Sequence, residues 1–158
     1  MSKVLVDTCI WSEVLRRKNP NPTVCENLAK LLRDSQAVFI GPVRQEILSG
    51  ISDDEKFVNL KKILSCLPDA PIETMDYELA AQYSNICRRS GIQGSAVDFL
   101  ICAVAVRNNF IIYTVDKDFE HYRVVLPIAL WVDPLQHFSA DRYSASSLST
   151  KSLSWTAQ

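Results

Sequence analysis

Short apolar runs alternate along the chain with longer segments in which apolar residues recur at helical spacing. The short runs are rich in β-branched residues and predict buried strands at Val4–Val6 and at residues 37–40, 110–113 and 129–132. Residues 72–75 form a further edge-strand candidate. The periodic segments predict helices over residues 10–17, 23–32, 43–48, 54–67, 77–89 and 95–107.

This alternation predicts the class of fold. No Asn-Gly turn joins neighbouring strands, so we expect parallel strands linked by helical crossovers. The sequence therefore predicts an α/β domain, a three-layer sandwich whose mostly parallel sheet carries helices on both faces. Asp76 is expected to cap the helix over residues 77–89. The helix over residues 95–107 is apolar almost all round, which predicts a central position.

Length and composition are those of one globular domain. The chain has 158 residues, of which 47% are hydrophobic and 22% are charged. Serine supplies seven of the last twenty residues. We therefore expect a folded domain over residues 1–138 and a loosely held or disordered tail over residues 139–158.

Several compositional features bear on location. The apolar start is interrupted at Asp7, and no apolar run is long enough to cross a bilayer, so neither a secretory signal nor a membrane span is expected. The five cysteines are odd in number and widely separated, without a C-x-x-C pair. This pattern predicts free thiols in a reducing cytoplasm rather than disulfides or a zinc site.

Charge limits how the chain can hold a phosphate-bearing partner. The net charge of −1 creates no overall field that attracts nucleic acid. Such a partner would be held by a local basic patch or through a bound cation. Arg44, two residues before Glu46, is the best-placed basic residue to contact a substrate phosphate, although basic residues at helix ends also serve as solvated complements of the helix dipole.

Four acidic residues lie where predicted strands end or where the following helices begin. Asp7 follows the first strand, Glu46 lies one turn into the helix after the second, Asp98 lies in the first turn of the apolar helix, and Asp116 follows the third strand. In a parallel sheet these positions share one edge, so the four acids are expected to converge. Each acid alone also fits a structural role, as a helix cap or a solvated helix residue.

Asp98 strengthens the collective interpretation. Its neighbours in sequence are apolar on every side, so its carboxylate is hard to solvate unless something pairs it. No basic residue is an obvious partner in sequence, and converging carboxylates repel one another. A hard divalent cation removes both difficulties. Carboxylate and water ligands favour Mg²⁺ or Mn²⁺, either of which can promote hydrolysis of a phosphodiester.

The acidic residues stand in an ordered set of motifs. In chain order these are Val6-Asp7-Thr8, Arg44-Gln45-Glu46-Ile47-Leu48-Ser49-Gly50, Val97-Asp98-Phe99-Leu100-Ile101-Cys102-Ala103 and Thr114-Val115-Asp116-Lys117-Asp118-Phe119. With this order and spacing, over about residues 1–135, the chain resembles the PIN-domain nucleases. Within them it is most similar to the small VapC-like ribonuclease toxins of bacterial toxin–antitoxin pairs.

The resemblance implies roles that the residues alone do not establish. It implies an acidic site made of Asp7, Glu46, Asp98 and Asp116, with Thr114 as a supporting hydroxyl. Asp118 would be an additional acid behind the site. It further implies dependence on Mg²⁺ or Mn²⁺, an RNA substrate, a homodimer and a cognate antitoxin protein as partner. The leucine-rich helices over residues 24–32 and 57–67 are candidates for the dimer face, and core packing explains them equally well.

Two features depart from the family pattern. Cys9 stands where PIN-domain nucleases commonly have Asn or another small polar residue, which is expected to alter hydration beside Asp7. The serine-rich segment after residue 138 is longer than usual.

Other functions fit the sequence less well. A haloacid-dehalogenase-type phosphatase needs a second acid two residues after the first, where this chain has Cys9. A metal-independent ribonuclease needs a histidine pair as acid and base, and the chain contains only His121 and His137. The main alternative is a non-catalytic PIN-like module that binds RNA or protein. Metal-dependent cleavage would separate an enzyme from such a module.

Overall fold

The computed structural model describes residues 2–133, which form a parallel sheet surrounded by helices. The sheet has three strands in the order β2-β1-β3, with β1 at Val4–Val6, β2 at Ala37–Val38 and β3 at Ile111–Tyr113. Both pairings of β1 are parallel. The predicted α/β class with a parallel sheet is confirmed. The predicted tail and the domain boundary at residue 138 lie outside the described residues.

Helices occupy most of the chain between and after the strands. Within residues 2–133 there are seven, α1 Thr8–Arg16, α2 Pro22–Arg33, α3 Gly41–Leu48, α4 Asp54–Leu64, α5 Thr74–Arg89, α6 Ala96–Asn108 and α7 Asp118–Val125. None of them combines the length and apolarity that crossing a membrane requires.

The core is built around β1 and α6. All three residues of β1 are buried, and so are seven consecutive residues of α6, from 99 to 105. Burial on every side explains why α6 is apolar all round, and the predicted central position is confirmed. A helix packed in this way is fixed along its whole length, so its first turn is held in a defined position.

The topology brings several chain segments to one edge of the sheet. The carboxyl ends of the parallel strands all lie there, and α1 and α3 begin within three residues of β1 and β2. Only two residues separate the end of α6 from the start of β3, so α6 runs antiparallel to β3 and its first turn lies at this same edge. The fold thus collects the residues that follow β1, β2 and β3 together with the start of α6.

Two strand predictions are wrong. Residues 129–132 form no strand, and only a single bridge joins Leu130 to Ile112. Residues 72–75 are not an edge strand, because α5 begins at Thr74. The segment before α5 pairs with the residue after β2 only through a single bridge between Asp69 and Phe39.

The position of Asp76 explains the earlier start of α5. Asp76 is not the N-cap residue, which is Glu73, but the third residue of the helix, and its carboxylate accepts a hydrogen bond from the Glu73 amide at 2.8 Å.

The helix α7 was not predicted from the sequence. This short helix packs Phe119 and Tyr122 into the core.

Candidate active site

Asp7 lies at the centre of the candidate site. It follows β1 directly, and its amide donates to the Tyr113 carbonyl at 3.0 Å. One carboxylate oxygen, Oδ1, accepts from the Thr8 amide at 2.6 Å, so Asp7 also caps α1. The other, Oδ2, accepts from the Thr114 hydroxyl at 2.7 Å and from the Cys9 thiol at 3.1 Å. Asp7 is therefore the N-cap of α1, and its second carboxylate oxygen faces Thr114 and Cys9.

The environment of Asp7 disfavours its negative charge. The residue is only 5% exposed. Burial raises the pKa of its carboxyl, the hydrogen bonds from Cys9, Thr114 and Thr8 offset part of this rise, and the charge of Asp98 adds to it. Asp98 is therefore close enough to repel Asp7. Burial and the charge of Asp7 also raise the pKa of the Cys9 thiol to about 12, so Cys9 stays protonated and acts as a donor.

Thr114 connects Asp7 to Asp116. Its hydroxyl donates to Asp7 and accepts from the Asp116 amide at 2.9 Å. The Asp116 carboxylate in turn accepts from the Asp118 amide at 3.0 Å, at the beginning of α7. Thr114 and Asp118, which the family resemblance implied, are thus hydrogen-bonded to Asp7 and Asp116.

Thr8 connects Asp7 to Glu46 on the other side. Its hydroxyl donates to Glu46 Oε2 at 2.5 Å, while its amide donates to Asp7. Glu46 itself is exposed. Thr8 was not singled out from the sequence, although its position next to Asp7 was the available signal.

Asp98 is fixed by two donors to one of its oxygens. Ser95 and Asp98 form a capping box, in which the Ser95 amide donates to Asp98 Oδ2 at 3.0 Å. The hydroxyl of Tyr122 donates to the same oxygen at 3.1 Å. Tyr122 is fully buried and packs against the rings of Phe99 and Phe119, with centroids 5.3 and 5.2 Å away. Sequence reasoning missed Tyr122 because α7 was not predicted.

The four acids, here called the acidic site (Asp7, Glu46, Asp98 and Asp116), share two properties. Within residues 2–133 none of them forms an ion pair with a basic side chain. In Glu46, Asp98 and Asp116, one carboxylate oxygen accepts a hydrogen bond from the described chain and the other accepts none. Each of these three acids therefore presents one oriented oxygen that is available to a ligand.

These properties fit a hard divalent cation. Among the described residues, no three Asp, Glu, His or Cys side chains are already grouped closely enough to hold one ion. Mg²⁺ does not require such a cage, because it commonly binds through one or two carboxylates and keeps several waters. Oxygen donors without a competing basic side chain suit Mg²⁺ or Mn²⁺, and the residues present fit such an ion.

Arg44 is engaged elsewhere. Its guanidinium pairs with Asp69 at 2.7 Å and donates to the carbonyls of Leu64 and Leu67. Two steps along an α-helix turn the side chain by about 200°, so Arg44 and Glu46 point to opposite sides of α3. A contact between Arg44 and a substrate phosphate would have to displace the ion pair with Asp69. Arg44 is therefore not part of the acidic site.

The hydrogen bond from Tyr122 to Asp98 leads to a first prediction. Tyr122→Phe keeps the buried ring but removes the donor, so we expect the free energy of unfolding to fall by about 1 kcal/mol. Urea denaturation followed by circular dichroism measures this change. Tyr77→Phe is the matched control, because Tyr77 is 57% exposed and should change stability little. Equal stability of the two variants would contradict a role for Tyr122 in fixing Asp98.

Comparison with known proteins identifies the family of this fold. The family model described as PIN domain matches residues 4–125. Ribonuclease VapC11 of Mycobacterium tuberculosis is 31% identical over 121 residues, which cover 74% of this chain and 89% of that protein. The structure of FitAcB from Neisseria gonorrhoeae superposes with a TM-score of 0.67 at 21% identity, covering 82% of this chain and 96% of that one.

A second solved structure has a similar fold at lower identity. A toxin-antitoxin complex from Klebsiella pneumoniae gives a TM-score of 0.57 at 16% identity, covering 74% of this chain and 90% of that one. At such identities the two structures show a shared fold alone. The family match and the mycobacterial relative carry the assignment, since both cover most of the chain. The chain therefore belongs to the PIN-domain family, within the group that includes the VapC ribonucleases.

Proposed function

We propose that this protein is a metal-dependent endoribonuclease that hydrolyses RNA phosphodiester bonds as the toxin of a toxin–antitoxin pair. The observation that carries the proposal is the buried carboxylate of Asp7, joined through Thr8 to Glu46 and through Thr114 to Asp116 with no basic side chain to neutralise it within residues 2–133. The relative VapC11 is named a ribonuclease. RNA as substrate rests on that relationship.

In the proposed reaction the acidic site holds Mg²⁺ or Mn²⁺. When bound, such a cation acts as a Lewis acid that activates water and neutralises charge on the phosphate. Asp7 is the most constrained of the four acids, because three donors fix both of its oxygens. Glu46 and Asp116 are exposed and lie on the solvent side, where the substrate and water enter. Asp98 presents its unbonded oxygen from the rigid first turn of α6.

The hydroxyls of Thr8 and Thr114 position the acids. Each donates to one carboxylate and lies next to the backbone of another acid, so the spacing between Asp7, Glu46 and Asp116 is set by two short side chains. Orientation of this kind before the substrate arrives reduces the reorganisation that the reaction requires.

Cleavage of a mixed-sequence, single-stranded RNA tests the proposal. We expect cleavage with Mn²⁺ or Mg²⁺ and none with EDTA, and we expect Glu46→Gln to lose cation-dependent cleavage, because its amide still accepts from Thr8 but carries no charge. Glu78→Gln, an exposed substitution on α5, is the matched control and should cleave like the wild type. Cleavage that persists in EDTA, or full activity of Glu46→Gln, would overturn the proposed mechanism.

The alternative function is a non-catalytic PIN-like module that binds RNA or protein. One observation favours it, namely that no three metal-ligating side chains in the described part of the chain are already grouped. The same experiment separates the two functions, because a non-catalytic module binds RNA without cleaving it, whether or not Mn²⁺ is present.

We further propose a cytoplasmic homodimer that binds a cognate antitoxin. The solved toxin-antitoxin complex from Klebsiella pneumoniae has the same fold, which supports an antitoxin partner. Most leucines of α2 and α4 are in the core, but Leu32, Val58 and Ile63 are 36%, 61% and 58% exposed and remain available for a dimer face. All five cysteines are free, as a reducing compartment requires.

A further inference from the structure

A groove runs along the α5–α6 hairpin beside the acidic site. It consists of two adjoining cavities of about 510 and about 330 Å³. Both are lined by Ser84, Arg88, Gly94 and Phe99, so they are continuous with each other. The larger cavity is bounded by α3, α5 and α6, and the smaller one by the loop between α5 and α6.

The larger cavity is lined by residues that lie close in the chain to two members of the acidic site, Glu46 and Asp98. Pro42 lines it from the first turn of α3, four residues before Glu46 and so on the same face of that helix. Ala96 and Val97 line it from the first turn of α6, immediately before Asp98. A molecule in the cavity would therefore lie next to the acids that we propose to hold the cation.

The lining of the larger cavity suits a flat apolar group. Most of its lining residues are apolar, and Tyr77 stands at its rim with 57% of its surface exposed. Stacking on an aromatic side chain is the sequence-tolerant way in which proteins bind the bases of single-stranded nucleic acids.

Arg88 supplies the positive charge at the junction of the two cavities. It is exposed in the last turn of α5 and makes no ion pair or side-chain hydrogen bond within residues 2–133. By contrast, Arg44 and Arg107 are both paired with carboxylates. A guanidinium without a carboxylate partner, at the junction of the two cavities, is suited to a phosphate group.

We infer that this groove binds a nucleotide next to the cleaved bond of a single-stranded RNA, with its base in the larger cavity against Tyr77 and its phosphate at Arg88. The inference rests on the proposed function and specifies how that site selects its substrate. A base can enter the cavity only if it is unstacked, so the groove favours single strands and loops over duplexes.

Binding without cleavage tests the inference. A fluorescein-labelled, mixed-sequence single-stranded oligoribonucleotide is titrated with the full-length protein in EDTA, and anisotropy gives Kd at several salt concentrations. We expect Arg88→Gln to raise Kd about tenfold and to lower the slope of log Kd against log salt by about 0.7, the loss of one phosphate contact. Arg89→Gln is the matched control, since it removes the same charge one residue away, outside the groove.

Substitutions of Tyr77 test the base subsite. Tyr77→Ala should raise Kd about fivefold or more, because stacking on an aromatic ring is worth about 1–3 kcal/mol per base, whereas Tyr77→Phe should bind like the wild type. Equal Kd values for Arg88→Gln and Arg89→Gln would overturn the groove assignment. A change of oligomeric state in Tyr77→Ala, seen by sedimentation, would also overturn it by identifying the groove as a contact between copies of the chain.

The outcomes distinguish this inference from the proposed function. If Arg88→Gln and Arg89→Gln both bind and cleave RNA as well as the wild type does, the proposed nuclease function stands and the groove assignment is wrong. If RNA binding depends on Arg88 but the protein does not cleave RNA with Mn²⁺, the groove is an RNA-binding site and the nuclease proposal is wrong.

Discussion

Asp7→Asn is expected to abolish cation-dependent cleavage and at the same time to stabilise the metal-free protein. Loss of one buried ligand removes several kcal/mol of transition-state stabilisation, so the rate should fall by about 10³-fold or more. The stabilising effect has a separate cause. Asp7 is 5% exposed, and both burial and the charge of Asp98 disfavour its carboxylate. Neutral Asn removes that cost and its oxygen still accepts from the Thr8 amide, and we expect this gain to exceed the loss of the hydrogen bonds that Thr114 and Cys9 donate to Oδ2.

The stability effect has a defined pH dependence. Because the pKa of Asp7 is raised in the folded protein, the native state binds more protons than the unfolded state just above the ordinary Asp pKa, about 3.9. Wild-type stability conferred by this group is therefore full below that pH and is lost as pH rises through the folded pKa. At pH 7 we expect Asp7→Asn to melt higher by about 3 °C, which corresponds to about 1 kcal/mol.

Thermal unfolding with and without Mn²⁺ measures both effects. Mn²⁺ should raise the melting temperature of the wild type and leave that of Asp7→Asn unchanged. Asp53→Asn is the matched control, because Asp53 also caps a helix by accepting a backbone hydrogen bond but is exposed and remote from the acidic site. Wild-type cleavage by Asp7→Asn, or a metal-free variant less stable than the wild type, would show that Asp7 acts as a structural cap.

The proposed acidic site could be predicted from the sequence because its members stand at the ends of elements. Strands of three apolar residues are short, but the acid after each one marks where the strand ends. The parallel arrangement then brings Asp7 and Asp116 to one edge without any knowledge of side-chain packing. Asp98 was recognised for a different reason, because a carboxylate at the start of an entirely apolar helix needs a partner.

The hydrogen bonds between the acids could not be predicted from the residues, although the family resemblance implied Thr114 as a supporting hydroxyl. Thr8, Thr114 and Tyr122 each donate to a carboxylate far away in sequence, and only the folded chain fixes such distances. The prediction of a strand at residues 129–132 was wrong because this segment pairs with β3 through a single bridge, between Leu130 and Ile112. Local β-propensity cannot reveal how long a pairing partner is.

The best-paired buried acid was also missed, because sequence gives Asp76 only the signature of a helix cap. It is completely buried, and both of its oxygens accept from Arg107, at 2.5 Å from Nε and 2.8 Å from Nη2. The pair joins the first turn of α5 to the last turn of α6. Since α5 and α6 are antiparallel, this contact fixes the end of the hairpin opposite Asp98 and Arg88.

Asp76→Asn should therefore be the most destabilising of the substitutions considered. Removing one partner from a buried ion pair costs about 3–5 kcal/mol, and the 22% exposure of the Arg107 side chain places the expected loss near about 3 kcal/mol. Glu73→Gln is the matched control. Its ion pair with Arg107 spans 3.5 Å and is 55% exposed on the Glu73 side, so its loss should cost about 0.5 kcal/mol or less.

The pH dependence of this pair has the opposite sign to that of Asp7. Burial alone would raise the pKa of Asp76, but the hydrogen bonds from Arg107 and the Glu73 amide, together with the charge of Arg107, lower it below its usual range. The stabilisation is therefore present above the unfolded pKa of about 3.9 and is lost as pH falls toward the lower folded pKa. Urea denaturation at pH 7, 4 and 3 should show that the difference in free energy of unfolding between wild type and Asp76→Asn becomes smaller as the pH falls. A difference that stays constant would mean that the loss arises because the Asn NH2 group faces the donors of Arg107, and that the charge of Asp76 contributes nothing.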